Sequence, residues 1–289
     1  MKLKIIKDII CEDEEWFYLK LSLLLVSVPV LSIMLFSFSG CPFPTGICKL
    51  YSFAPLFTPA GMVLFFGFFV MLCLLYLFEI NMVYTTALLF LCNVIIISHH
   101  ESNGVFYRAT ILSTVFGAQF IAYLLYSFKA GFDIRRFRIN YAIQIIAATY
   151  TLAAIAKLKA SGFGWINSGE LFSIQVMKNY AFLYFDTGSK VVLEHGRTIA
   201  YALLKHRGII RFFLATSLAL ELFCFAAMIG NKVRLVYGIA LLLMHLGIMC
   251  VFGIGIGIIA NPMVVFFINP LYRVKQLLAY IYRKAITTN

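Results

Sequence analysis

The chain has 289 residues, of which 62% are hydrophobic and only 12% charged, and its mean hydropathy is +0.93. A soluble domain carries about twice that share of charge, so a soluble enzyme, a DNA-binding domain and a disordered tail are excluded as main readings. The net charge of +12 is no pointer to nucleic acid, because membrane proteins gather Lys and Arg in their cytoplasmic loops; the expected partner is the lipid bilayer.

Residues 1–18 mix charges with aromatics, from Lys2, Lys4 and Lys7 to Asp13, Glu14, Glu15 and Trp16. No small-residue cleavage site follows a short apolar core, so no removable signal peptide is expected. Apolar runs predict spans at 20–39, 58–78, 82–98, 109–127 and 140–157, each near the ~20 residues that cross a bilayer. A polar, aromatic-rich stretch fills 158–208. Further spans are expected at 209–229 and 233–252, and a last apolar piece at 256–272 contains Pro262 and Pro270. The fold class is therefore all-α: a polytopic helical membrane bundle of seven or eight transmembrane helices, forming one domain over 1–289.

Loop charges set the orientation. Lys129, Arg135, Arg136 and Arg138 lie in the 129–138 turn, and Lys232 and Arg234 in the 231–234 turn. Both turns belong inside by the positive-inside rule, as does the N-terminus. The 40–57 loop, the 99–108 loop and the 158–208 segment then lie outside. Arg273, Lys275, Arg283 and Lys284 draw the tail inside, which requires an eighth crossing near 256–272; otherwise the tail is an interfacial helix outside. Within 158–208, Gly162, Gly164 and Trp165 suggest a re-entrant or interface-lying segment, and 189–206 reads as a surface helix; a solvated outer loop is the plainer alternative.

Seven cysteines form no metal-site spacing, and no metal is expected. Cys41 and Cys48 bracket an outer loop and make a local disulfide there an open possibility in an oxidising compartment. His99 and His100 are adjacent and point different ways on most backbones, so they suit a joint metal site poorly. With Asn103 and Arg108, His100 is expected to form a polar rim at the outer mouth of a cavity.

Ionisable groups inside apolar runs are costly, by ~3 kcal/mol at mid-membrane, and each is a site hypothesis by default. Glu221 and His245 flank the 231 turn, both ~15–20 Å from it at helical rise. Either they pair with each other across antiparallel neighbouring helices, or each bonds separately to a hydroxyl or backbone group. Lys157 lies ~27 Å above the 139 turn, near the outer interface. Snorkelling is its plain reading; the small residues before it, Ala147, Ala148, Ala153, Ala154 and Ala156, favour a lysine tucked among helices.

Tyr150-Thr-Leu-Ala153-Ala-Ile-Ala-Lys157-Leu158, followed by Trp165 and Gly169, resembles a segment of vitamin K-dependent gamma-carboxylase and of the wider horizontally transferred transmembrane (HTTM) domain family. Met244-His245-Leu246-Gly247-Ile248 resembles that family's later histidine helix. The resemblance implies a cavity facing outward, with Lys157 as the base that deprotonates a reduced, vitamin K-like quinone and His245 lining the same space. In the carboxylase the base made from that quinone with oxygen takes a proton from a substrate glutamate, and carbon dioxide adds. Glu221, Tyr150 and Trp165 are then cavity residues. Two departures stand out. The intervals from Lys157 to Trp165 and from Trp165 to Gly169 are longer than in the carboxylase. The reading also expects no counterpart, after Pro270, of the lumenal domain that holds a substrate propeptide. The resemblance further implies the inner membrane of a bacterium, and two competing roles: a quinone-linked modification enzyme, or a non-catalytic partner in the maturation of, or immunity to, a secreted peptide. A transporter is the weakest alternative, since no discontinuous helix pair recurs in the two halves.

Overall fold

The computed structural model describes residues 13–38, 42–51, 53–104, 110–129, 131–253 and 262–287. Among them the regular structure is all helical. In chain order the α-helices are α1 (Asp13–Phe36), α2 (Pro59–Leu77), α3 (Met82–Glu101), α4 (Thr110–Phe128), α5 (Ile134–Ser161), α6 (Gly169–Thr187), α7 (Lys190–Lys205), α8 (Arg207–Leu222), α9 (Asn231–Phe252) and α10 (Pro270–Thr287). Six helical segments are long and apolar enough to cross a membrane: α1, α2, α3, α4, α9, and α5 together with the 3-10 turn that follows it. That composition fits an integral membrane protein.

Each helix starts and stops for a local reason. Thr58 caps α2, its hydroxyl accepting from the Gly61 amide at 3.1 Å, with Pro59 at the first helical position. Asp133 caps α5 by accepting from the Arg135 amide at 3.1 Å. Gly162, at φ 56°, ends α5 in a backbone that a side chain would strain. α1 is already helical at Asp13, ahead of the expected residue 20, and its first turns are charged and ion-paired, Asp13 with Arg138 and Glu15 with Arg234.

The core is one apolar body running through α1 to α5, α9 and the π-helical turn Val264–Ile268. α3 packs on α4, α4 on α5, and α5 on α8, so α5 is the wall between the two halves of the bundle. A second, smaller core joins α6, α7 and the end of α9 through Val176, Tyr180, Ala200 and Phe252.

Two expectations change. The apolar run 209–229 is not one helix: α8 has 16 residues and gives way at Cys224–Met228 to a 3-10 turn. Its last carbonyls turn aside, and the Thr151 hydroxyl of α5 approaches those of Glu221 (3.5 Å) and Leu222 (3.4 Å). The 158–208 stretch is neither a loop nor irregular: α6 and α7 form an antiparallel hairpin, closed where Gly196 lies against the Tyr180 ring and leaves no room for a Cβ. The helix expected at 189–206 is α7. Of the 256–272 piece, the described part is the buried π-helical turn and the start of α10.

Candidate functional site

α5 and α8 run antiparallel, and their side chains lean toward each other. A helical Cα–Cβ bond tilts toward its own N-terminus, so Lys157 leans down α5 while Glu221 leans up α8. The six residues from Thr151, which touches the Glu221 carbonyl, to Lys157 amount to ~9 Å of rise, a gap that a lysine and a glutamate side chain close together. The Lys157 ammonium donates to the Glu221 carboxylate in an ion pair. Counting residues from the turns put Lys157 well above Glu221; the lean of both side chains is what that count omits. Lys157 is 27% exposed and Glu221 9%, so the pair sits at the margin of the protein interior, where an ion pair is stronger than in water.

Trp165 comes from the 3-10 turn Gly162–Asn167 that follows α5. Its ring lies over the Lys157 ammonium at 5.3 Å, within cation–π range. The indole Nε1 is buried without a hydrogen-bond partner among the described residues. A buried N–H lacking an acceptor is costly.

Beneath this pair, α9 presents His245 to α5. Its Nδ1 lies 2.7 Å from the Leu241 carbonyl one turn back. A carbonyl only accepts, so Nδ1 carries the proton. In the neutral ring Nε2 is then the acceptor, and the Tyr150 hydroxyl, 3.3 Å away, donates to it. Tyr150 and His245 also meet ring edge to face at 5.7 Å. The Glu221 and Lys157 charges are near enough to act electrostatically on His245. Glu221 and His245 thus do not bond to each other: the carboxylate takes the lysine, and the imidazole takes a hydroxyl and a backbone carbonyl.

The other expected site residues lie elsewhere. His100 packs edge to face against Phe38 at 5.4 Å, and the Asn103 amide donates to the His99 carbonyl at 2.9 Å, capping α3. α3 packs against α1, α2, α4 and the Gly46–Lys49 turn, whereas Lys157 faces α8. His99, which was not singled out as a site residue, stacks on Phe57 at 3.6 Å and bonds the Phe38 carbonyl at 3.2 Å. Arg108 and Cys41 lie outside the described residues, and with Cys41 the Cys41–Cys48 pairing. Cys48 itself is buried in the Gly46–Lys49 turn, where Thr45 and Ile47 amides bond Ser102 and Ser98 of α3.

A second polar cluster was not foreseen. At the α1 start, Arg138 of α5 donates to Asp13 at 2.8 Å and lies 3.9 Å from Glu79 in the α2–α3 turn. Lys20 donates to the same Glu79 carboxylate and to the Leu77 carbonyl, both at 2.7 Å. Arg234 of α9 donates to Glu15 at 3.2 Å, and the Asn269 amide to the Glu15 carbonyl at 3.1 Å. The Arg138 guanidinium covers the Trp16 ring at 4.7 Å. Glu79 and Asn81 both have positive φ, 59° and 46°, so this turn is held in a backbone that non-glycine residues rarely adopt. A signal was available: the topology had already put the N-terminus, the 129–138 turn and the 231–234 turn at one end. Three buried bases meeting three acids there, of which only Glu15 is buried, follow once helix ends, rather than loops, are read.

No protein-family model, curated protein or solved structure matches the chain.

Proposed function

We propose that this chain is a membrane-embedded enzyme core of the gamma-carboxylase and HTTM type, in which Lys157 takes a proton from a reduced quinone on the outward side of a bacterial inner membrane. The observation that supports it most is the Lys157–Glu221 pair, roofed by Trp165 and adjoining Tyr150 and His245. In this reading α8 and its 3-10 extension form a seventh crossing, the return to Asn269 an eighth, and the N-terminus is cytoplasmic.

The residues suit such a group. The buried Trp165 N–H has no acceptor among the described residues, and a hydroquinone oxygen is an acceptor of the right kind. When bound, a hydroquinone supplies an acidic O–H. The chain supplies the rest. At low dielectric, a proton shift from the Lys157 ammonium to the Glu221 carboxylate leaves two neutral groups and removes the penalty of burying two charges. The neutral amine is then a base. Glu221 stores the proton, Trp165 orients the acceptor oxygen, and the Tyr150–His245 pair is a proton relay whose ring is fixed by Leu241.

The test is turnover with a reduced quinone in purified, lipid-reconstituted protein. Lys157→Ala should abolish it with insertion intact. Lys157→Arg should fail as well, because a guanidinium stays protonated. Full activity in the arginine variant would show that only a positive charge is needed, and the base assignment would fall.

The closed ion pair favours one other reading, a non-catalytic partner for a secreted peptide, since each charge already satisfies the other. That reading expects no quinone absorbance in purified protein and full biological function in Lys157→Ala.

A further inference from the structure

The last helix differs from every other. α10 carries Arg273, Lys275, Arg283 and Lys284 and no acidic residue. At 100° per residue, Val274, Leu277, Leu278 and Ile281 fall on one arc, the i, i+3, i+4, i+7 pattern of an amphipathic helix. All four are 53–60% exposed. Lys275 and Tyr282 border the arc on one side, and Arg273, Lys284 and Tyr280 on the other.

α7 is also strongly amphipathic, but Val192, Ile199 and Leu203 of its apolar side pack into the small core with α6. α10 has no such cover. It meets the bundle at its start, where Lys275 pairs with Glu14, Tyr272 stacks near Tyr18 at 6.1 Å, and Asn269 is tied to Glu15. Of these, Tyr272 lies on the side opposite the arc and Lys275 at its border, and the four apolar residues of the arc stay exposed.

We infer that α10 is a membrane-surface helix: its apolar arc lies in the acyl boundary of an anionic phospholipid leaflet, and its cations contact the phosphate headgroups. Three observations select that occupant. The flanks are cationic, matching anionic headgroups. Tyrosines border the arc, at the level where amphipathic rings settle in a bilayer. Finally, α10 is tied to the first turn of α1, one of the six apolar segments, so a bilayer that α1 crosses has its surface beside α10. An amphipathic helix with a basic polar face lies in such a plane rather than crossing it.

The experiment uses full-length protein in phosphatidylglycerol nanodiscs, with or without brominated acyl chains, and tryptophan fluorescence read above the Trp16 and Trp165 background. Leu278→Trp should be quenched by bromine about twofold or more, and Arg283→Trp should stay near its unbrominated intensity, since the polar face does not enter the acyl region. Equal quenching at both sites, or none at either, overturns the inference. Amide exchange of residues 270–287 in unmodified protein provides a readout free of substitutions. It should be slower in phosphatidylglycerol than in phosphatidylcholine, by about fivefold per cation engaged. Equal exchange in the two lipids removes the anionic surface as the occupant. A Leu278→Trp signal that is shielded but unquenched, in discs holding two copies, identifies the arc as a dimer contact and overturns the inference too.

Discussion

The two polar clusters of this bundle are built differently. At the α1 end, Arg138, Lys20 and Arg234 are almost fully buried, and each meets an acid, while Glu79 serves two of them. Arg138 adds the Trp16 ring, and the Glu15 backbone is held by Asn269. Five stretches far apart in sequence end in that one knot. Around Lys157, by contrast, one lysine faces one glutamate, and the lysine is partly open under the Trp165 ring. The first cluster ties helix ends together, and it too holds buried polar atoms without a hydrogen-bond partner among the described residues, Trp16 Nε1 and Asn269 Oδ1. The second differs in which charge is enclosed: its carboxylate is buried and its lysine partly open, whereas Asp13 and Glu79 of the first are open and their cations buried. An unsatisfied buried donor is therefore no mark of function by itself in this bundle; the partly open lysine is what sets the second cluster apart.

Substitutions can break that contrast. The largest effect should come from Arg234→Met, which strands the Glu15 carboxylate inside the knot; a loss of about 3–5 kcal/mol is expected, read as a lowered unfolding midpoint in detergent. Lys157→Met should cost less, about 1–3 kcal/mol, because its site is nearer the edge, and adding Glu221→Leu should restore most of it. If Lys157→Met proves as damaging as Arg234→Met, or if the second change restores nothing, the Lys157 pair is a structural knot like the other. Tyr150→Phe should cost about 1 kcal/mol, the worth of one hydrogen bond to His245, in the same unfolding measurement. Smallest of all should be Glu170→Gln, which breaks an exposed pair with Arg207 at 3.0 Å; a change below about 1 kcal/mol is expected, and a larger one would mean that the α6–α8 surface is buried in the native assembly.

Much of the helical plan was legible because hydropathy over ~20 residues reports membrane crossing directly. The spans at 58–78, 82–98 and 109–127 fall on α2, α3 and α4. Of the hairpin over 169–205 only α7 was legible; α6 and the packing of the two were not, since that needs Tyr180 on one helix to meet Gly196 on the other, a pairing no local pattern announces. At the site, Lys157, Glu221, Tyr150, His245 and Trp165 were each singled out, but whether Glu221 pairs with His245 was left open and its pairing with Lys157 was not expected. Depth counted along a helix axis places Cα atoms, whereas partners are chosen by side chains several ångströms long that lean along the axis. The knot at the α1 end escaped because its cations were counted as loop charges, and its acids lie in helix first turns and a strained turn.

The α6–α7 hairpin brings three buried residues, Val176, Tyr180 and Ala200, to a small core that meets the main body through the end of α9 at Phe252. Regions of a protein open with free energies that follow the apolar contacts they must break. The hairpin should accordingly behave as a separate foldon, exchanging its amides through excursions that leave the bundle closed. Its root is the Gly162–Asn167 turn that carries Trp165, so each such excursion loosens the roof over Lys157 without melting the helices beneath it.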